Sequence, residues 1–157
     1  MSNFTHINSN NQPEMVDVGA KKTTLRTAHA RCKLKLPPEV ACQINDNEIQ
    51  TKKGPVFHTA MIAGTMATKK TPELIPLCHT IPLNSAKFKI HSEGNEVIID
   101  CVVKAEHKTG VEMEAMTGAT VAALTIYDMC KAFSKAITIQ TVELIEKTGG
   151  KSDYILS

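Results

Sequence analysis

A long, nearly uncharged stretch between Lys108 and Lys131 constrains this chain more than any other feature. Its only charged residues are Glu112, Glu114 and Asp128, and everything that separates Glu114 from Asp128 is apolar, small or hydroxylic. A segment of this length and apolarity predicts a mostly buried helix. Ionised groups on a buried helix need partners or a chemical task. The three carboxylates are therefore candidate functional groups, unless they are simply exposed at the helix ends.

The spacing of these carboxylates limits how they can act together. Glu114 and Asp128 are 14 residues apart, which places them ~21 Å apart along one helix and on nearly the same face. Asp128 and Lys131 are neighbours at i and i+3. Glu114 and Asp128 therefore serve different sites, or a single site is assembled from opposite helix ends of two subunits. A third arrangement remains if residues 112–114 precede the helix in an irregular turn.

The composition is that of an ordinary globular protein. Its 157 residues are 42% hydrophobic and 22% charged, which predicts one domain with a substantial core. A net charge of +2 gives no reason to expect a nucleic-acid or membrane partner. No window approaches the ~18 apolar residues of a membrane span. The scattered cysteines, five in number and without a CxxC pair, indicate a reducing, cytoplasmic location.

The order of patterned segments predicts the fold class. Residues 1–14 are polar and Asn-rich, which favours a flexible N-terminal segment, and residues 15–157 form the single folded domain. Two alternating segments joined by Glu93, Gly94 and Asn95 predict a β-hairpin. The whole pattern is β-α-β-β-α-β, an α+β ferredoxin-like antiparallel sheet with helices on one face. The predicted elements are a strand at 28–36, a short helix at 38–45, an additional helix at 56–69, hairpin strands at 84–91 and 97–105, the long helix from Gly110, and a last strand at 136–143.

A proline-rich segment, residues 69–83, carries the pair Cys78 and His79. Three prolines predict an ordered but irregular segment of the kind that positions chemistry. Metal sites need three or four ligands at recognisable spacing, and no other histidine is suitably spaced, so no metal site is predicted. Nothing indicates a lowered thiol pKa for Cys78, and His79 is the better candidate for hydrogen bonding or acid–base work.

Two basic stretches are candidates for binding anions. Residues 21–26 combine lysines, threonines and Arg26, which suits an anion site or an ordinary surface turn. Gly150, Lys151 and Ser152 resemble the end of a phosphate-binding loop, but that motif requires glycine five residues before Gly150, where Ile145 stands. A basic turn that contacts phosphate remains plausible there.

Several motifs together resemble one family, the cyclic pyranopterin monophosphate synthases, which are the C component of molybdenum cofactor biosynthesis. The resemblance covers residues 5–152, and its two densest blocks are long and nearly gapless. The matching motifs are MVDV (15–18), Lys53-Gly54, IAG (62–64), KKTPELIPLCH (69–79), KTGVEMEA (108–115), TVAALTIYDMCK (120–131) and EKTGGKS (146–152).

The resemblance implies a reaction and an assembly. The family converts 3′,8-cyclo-7,8-dihydroguanosine 5′-triphosphate to cyclic pyranopterin monophosphate and pyrophosphate, without a redox step. It implies a lyase with a ferredoxin-like core that forms a homohexamer, a trimer of dimers, with active sites at subunit interfaces. It implies no organic cofactor and leaves open whether Mg²⁺ accompanies the triphosphate.

The resemblance also implies roles for individual residues. Asp128 is catalytic, and Lys53 and Lys131 donate and accept protons. The remaining residues contact the substrate, the last three through its phosphates: Leu77, Cys78, His79, Glu112, Met113, Glu114, Arg26, Lys21 and Lys147.

The chain departs from the family pattern at a few positions. Pro55 stands where the family usually has aspartate, Met61 where it has arginine, and Thr80 where it has proline. The central helix also carries an unusual Gly118. A rival hypothesis is therefore a pterin- or nucleotide-binding homologue that has lost catalysis, although such a protein would be expected to have lost at least one of the catalytic side chains. A purely structural hexamer would leave those side chains unexplained.

Overall fold

The computed structural model describes residues 12–157, and residues 1–11, most of the predicted flexible segment, lie outside that range. Elements are numbered in chain order. The strands are β1 (Thr24–Lys35), β2 (Ile44–Asn45), β3 (Glu48–Thr51), β4 (Gly54–Pro55), β5 (Ser85–Glu93), β6 (Glu96–His107), β7 (Thr138–Thr148) and β8 (Tyr154–Ile155). The helices are α1 (Pro38–Ala41), α2 (Val56–Thr68), α3 (Thr71–Leu74) and α4 (Glu112–Cys130).

The main sheet has five antiparallel strands in the order β5-β6-β1-β7-β8. Its four long strands follow the arrangement of a β-α-β-β-α-β unit, in which the first and third strands are central. The predicted α+β ferredoxin-like class is confirmed. The hairpin is also confirmed, since β5 and β6 pair from Ser85 and Lys104 to Glu93 and Glu96.

The role of the first helix differs from the prediction. The helix at 56–69 was expected to be an addition to the fold, yet α2 packs along both α4 and β5 and is the first helix of the repeat. The helix expected at 38–45 is the addition, because α1 ends at Ala41 and is followed by the small β2-β3-β4 sheet. A stretch of 13 residues can cover a strand, whereas a single helical turn cannot.

Several other details differ from the prediction, and β1 begins at Thr24, four residues before the predicted start. The proline-rich segment is irregular as predicted, but it contains the one-turn helix α3. The central helix begins at Glu112, with Gly110 in the preceding loop. The last strand extends to Thr148, because its second half pairs with β1. Among residues 12–157, no helix is long and apolar enough to cross a membrane.

One face of the sheet forms the core with the helices. Alternate residues of β1 from Ala28 to Leu34 are fully buried. Their partners on β6, from Val97 to Val103, are buried on the same face. α4 covers this face over β1, β6 and β7 and contributes buried alanines and Ile126. The absence of tryptophan is thus met by close packing of small side chains rather than by large aromatic ones.

α2 and α4 contact each other through glycine. A Cβ atom added at Gly64 would lie 2.6 Å from the ring of Phe88 and 2.9 Å from the carbonyl oxygen of Gly118. Neither neighbour has space to retreat, because Phe88 packs against the core. The small residues of 56–69, expected to allow close approach of another helix, do so here.

We expect Gly64→Ala to destabilise the protein by about 1 kcal/mol. Overpacking costs about 1–3 kcal/mol, which exceeds the roughly 1 kcal/mol that alanine gains in helix propensity. Urea denaturation measures the effect. Ile62→Ala is the control, because Ile62 is 63% exposed and its truncation removes no core contact. A Gly64→Ala protein as stable as the parent would show that the helices can separate without cost.

Candidate active site

Most of the predicted substrate-contacting side chains lie at the end of the sheet where β1 begins. Because β6 and β7 run antiparallel to β1, their last residues meet its first: Thr24 pairs with His107, and Thr27 pairs with Thr148. The loop after β6 leads directly into α4, so the helix N-terminus lies at the same end. A helix N-terminus favours negative charge, and this one carries two carboxylates in its first turn.

The first of two cavities at this end is strongly basic. It has a volume of about 530 Å³ and lies between the starts of β1 and α4 and the end of β7. Among residues 12–157, Glu112 is the only acidic residue that lines it. This basin suits a multiply charged anion such as a polyphosphate. Its cationic residues are Lys21, Lys22, Arg26, Lys108, Lys147 and Lys151.

Arg26 also has a structural task. Its Nε donates a hydrogen bond to the carbonyl oxygen of His107 at 3.1 Å, and its Nη2 donates to that of Lys108 at 3.0 Å. The guanidinium therefore fastens β1 to the loop that enters α4. Arg26 lines the basin as expected, but two of its donors are committed to the backbone. A phosphate would bind to the N–H donors of the guanidinium that these two bonds leave free.

Lys147 and Glu112 connect the basin to the helix start. Lys147 Nζ lies 3.0 Å from Glu112 Oε1, and both side chains are about one-third exposed or less. The pair joins the end of β7 to the first turn of α4. Glu112 lies where it can orient Lys147 of the basin. The resemblance implied that it supports Lys53 and Lys131, but these lysines contact Asp128 near the other end of α4.

The second cavity, of about 380 Å³, brings together seven predicted substrate contacts, two of which are Lys21 and Glu112. Leu77, Cys78 and His79 come from the irregular segment after α3, and Met113 and Glu114 come from the first turn of α4. Nothing in the spacing of these two segments along the sequence predicted that they would lie together. Only the resemblance implied it. Apolar walls are completed by Val16, Val18 and Ile81.

Glu114 is the buried acid of this cavity. Only 3% of the residue is exposed, and within residues 12–157 its carboxylate has no partner side chain, only its own backbone N–H. Burial, helped by the nearby charge of Glu112, raises the pKa of Glu114 to about 7. A carboxyl group with such a pKa can both donate and accept a proton near neutral pH.

Cys78 and His79 differ in chemical readiness. Burial, and then the charge of Glu114, raises the pKa of the Cys78 thiol, so this cysteine is a poor nucleophile. His79 Nε2 donates a hydrogen bond to the carbonyl oxygen of Val16 at 2.8 Å. In a neutral imidazole this leaves Nδ1 free to accept a proton. His79 is thus the better acid–base group, as the sequence indicated.

The two cavities adjoin each other and are together called the cleft. Lys21, Thr109, Gly110 and Glu112 line both of them. A ligand with a charged tail and a flat, mostly apolar ring could therefore occupy both at once. Sequence reasoning missed the contribution of residues 108–110, although they stand inside the matching motif KTGVEMEA, and it missed Lys22 and Lys151, which were visible only as members of basic runs.

The predicted catalytic residues form a separate cluster. Lys53 Nζ lies 3.0 Å from Asp128 Oδ2, and Lys131 Nζ lies 2.6 Å from Asp128 Oδ1. Hydrogen bonds from Lys131 and then Lys53 lower the pKa of Asp128, while Asp128 raises the pKa of Lys131. All three side chains are half exposed. At neutral pH the cluster therefore presents a carboxylate beside a protonated Lys131.

α4 separates the cleft from the lysine–aspartate cluster. The helix runs unbroken from Glu112 to Cys130, so Glu114 and Asp128 lie ~21 Å apart along one axis. The alternative in which residues 112–114 precede the helix is wrong. Within one chain the two groups cannot surround one small substrate.

Within residues 12–157, no group of three or more histidine, cysteine, aspartate or glutamate side chains could hold a metal ion. Cys78 and His79 face the cleft with Glu114 and have no further ligand beside them in this part of the chain. The expectation of no metal site comes from the spacing of the possible ligands in the sequence.

We expect the stability of the protein to fall as the pH rises towards 7, because of Glu114. Its pKa is raised from 4.5 to about 7, so the folded state holds this proton more tightly than the unfolded chain does. The contribution is complete below pH 4.5 and is lost as the pH passes 7. Glu114→Gln removes this dependence, and its unfolding free energy should exceed that of the parent by more at pH 8 than at pH 5.

Urea denaturation at both pH values measures the difference. Glu106→Gln is the control, since Glu106 is exposed on β6 and its replacement leaves the charge of Glu112 beside Glu114 in place. An advantage of Glu114→Gln that does not change with pH would contradict the raised pKa.

Comparison with known proteins agrees with this geometry. The model of the MoaC family matches residues 15–150. The chain is 48% identical to the cyclic pyranopterin monophosphate synthase of Xanthomonas oryzae pv. oryzae, over 96% of this chain and 92% of that protein. It is 51% identical to the molybdenum cofactor biosynthesis bifunctional protein of Synechocystis and 50% identical to molybdenum cofactor biosynthesis protein 1 of Dictyostelium discoideum, spanning 45% and 26% of their lengths. The chain belongs to the MoaC family.

Proposed function

We propose that the protein is a cyclic pyranopterin monophosphate synthase. It converts 3′,8-cyclo-7,8-dihydroguanosine 5′-triphosphate to cyclic pyranopterin monophosphate with release of pyrophosphate. The observation that carries the proposal is the pair of adjoining cavities, in which a basin lined by six cationic side chains lies beside a largely apolar pocket with a buried acid. Relatives named for this activity support it over nearly their full length.

The two halves of the cleft fit the two halves of the substrate. Lys21, Arg26 and Lys147 bind the triphosphate, whose charges their cations neutralise. The ring system lies in the second cavity between Leu77 and Met113, where Cys78 and His79 line the same wall. Glu114 there holds or accepts a ring proton at neutral pH, because its pKa is about 7.

The reaction needs proton transfers and charge stabilisation but has no redox step. In its last step a ribose hydroxyl oxygen attacks the α-phosphorus, the bond to pyrophosphate breaks, and the hydroxyl proton passes to a base. Protonated lysines stabilise the leaving pyrophosphate. Asp128, Lys53 and Lys131 perform the proton transfers, with the carboxylate holding two ammonium groups at 3.0 and 2.6 Å. The chemistry requires no organic cofactor, and Mg²⁺ accompanying the triphosphate would add to the same charge stabilisation.

The ~21 Å between the cleft and the cluster implies that a second subunit completes each site. An apolar groove of about 390 Å³ between α3, α4 and β7 supports such an assembly, since it is open and is lined by Leu74, Val121 and Val142. Met113 lines both this groove and the cleft. A neighbouring subunit in the groove would approach the cleft directly. We propose a homohexamer, a trimer of dimers.

The unpaired cysteines agree with a cytoplasmic location. All five of them lie among residues 12–157 and are free, and three are buried in the core. A reducing compartment keeps such thiols free. Residues 15–157 act as one catalytic domain in this proposal.

We expect the wild-type protein to release pyrophosphate and form a pterin from the cyclic dihydro-GTP precursor. Asp128→Ala and Lys131→Ala should each lower turnover at least about 100-fold, the scale of lost acid–base catalysis. Both side chains are half exposed, so the variants should remain folded by circular dichroism and size-exclusion chromatography. Lys135→Ala, an exposed lysine beyond the cluster, is the control. Normal substrate binding without pyrophosphate release by the wild type would identify a homologue that has lost catalysis.

We expect subunit exchange to restore activity to a mixture of two inactive variants. Glu114→Ala keeps the cluster intact, and Asp128→Ala keeps the cleft intact. If each site combines a cleft and a cluster from different subunits, about one quarter of the sites in a random equal mixture have both. Turnover should approach about one quarter of the wild-type value once mixed oligomers are verified. No recovery in verified mixed oligomers would show that one chain supplies both groups.

A further inference from the structure

Lys53 depends on its backbone for its position. It lies in the turn between β3 and β4 and its side chain is 59% exposed. Within residues 12–157, the only partner of its ammonium group is Asp128. Because most of this long side chain is exposed, packing restrains it only weakly, and it carries substantial rotamer entropy. Its placement is controlled by the geometry of the turn.

Thr51 fixes that turn through its hydroxyl group. Thr51 Oγ1 accepts a hydrogen bond from the backbone N–H of Lys53 at 3.1 Å and donates one to the carbonyl oxygen of Gly54 at 3.0 Å. Thr51 and Gly54 are also paired across β3 and β4. A single hydroxyl thus joins the residue that carries the ammonium group to both ends of the turn.

Glu48 attaches the same hairpin to α2. Its carboxylate accepts hydrogen bonds from the backbone N–H groups of Phe57 at 2.7 Å and His58 at 3.2 Å. These are orphan donors of the first helical turn, and Pro55 at the N-cap provides no side-chain cap. α2 in turn packs against α4, which carries Asp128. The path from Lys53 through the hairpin and the two helices to Asp128 is therefore continuous.

We propose that Thr51 is a positioning residue for Lys53, holding its backbone so that the ammonium group meets Asp128, on a hairpin base that Glu48 fixes to α2. The importance of this position for turnover rests on the proposed function. The contact with Asp128 itself does not, so the two ideas can fail separately.

Thr51→Val tests the inference because it removes the hydroxyl while keeping the shape and a residue suited to a strand. We expect turnover to fall at least about three- to tenfold, the range for each of the two hydrogen bonds that are lost. Thr51→Ser keeps the hydroxyl and should stay within about twofold of the parent. Thr65→Val is the control, since Thr65 lies further along α2 and its hydroxyl donates a hydrogen bond within the helix to the carbonyl oxygen of Met61.

Carbon-13 NMR titration of the Asp128 carboxyl group separates positioning from general stability. Lys131 and Lys53 are the charged groups that lower the pKa of Asp128. Withdrawal of Lys53 in Thr51→Val should raise the Asp128 titration midpoint, while Thr51→Ser and Thr65→Val leave it unchanged. Melting temperature and size-exclusion chromatography verify the fold, and Thr51→Ala replaces the valine variant if valine disturbs it.

Each outcome decides a specific point. An unchanged Asp128 midpoint in Thr51→Val overturns the positioning role, even if turnover falls, because the effect would then be one of stability. A wild-type protein without turnover overturns the proposed function, while the NMR comparison still tests the contact between Lys53 and Asp128. A raised midpoint with full turnover would show that Thr51 places Lys53 but that this placement does not limit the reaction, which contradicts the catalytic half of the inference.

Discussion

The structure depends on a rigid α4 that is held against the sheet by very small side chains. Buried alanines and Gly118 allow the helix to lie close to β1 and β6, and Gly64 allows α2 to lie close to it in turn. A helix packed this closely cannot bend or shift without opening voids or creating overlap. The separation of Glu114 from Asp128 is consequently a fixed property of the fold, and the two-subunit site that we propose rests on it.

Much of this could be predicted from the sequence, because the signals were local. The apolar stretch predicted α4, and alternation with a glycine turn predicted the β5-β6 hairpin. The helix 56–69 was located correctly, but its role was misjudged, since adjacency in the chain favoured the short segment after β1 as the first helix of the repeat. Only tertiary packing decides which of two consecutive helices covers the sheet.

The site was less accessible to sequence reasoning. Which residues line the cleft could be named through the resemblance, but its shape could not, because it depends on the antiparallel ends of β1, β6 and β7 meeting. The burial of Glu114, and hence the raised pKa of this acid, follows from three-dimensional packing. The hydrogen bonds of Arg26 to the backbone of residues 107 and 108 had no sequence signal. The departure at Pro55 has a structural counterpart: Glu48 supplies from β3 the carboxylate that an aspartate N-cap would otherwise provide.

A crystal structure of Asp128→Asn with the triphosphate substrate bound tests the shared site most directly. The ring should lie beside Glu114 of one subunit, with the triphosphate in the basin of that subunit. Lys53 and Lys131 of a different subunit should lie within about 4 Å of the same molecule, the distance of direct ionic contact. A substrate contacted by Glu114 and Lys131 of one chain, or by no lysine–aspartate cluster at all, would contradict the two-subunit site.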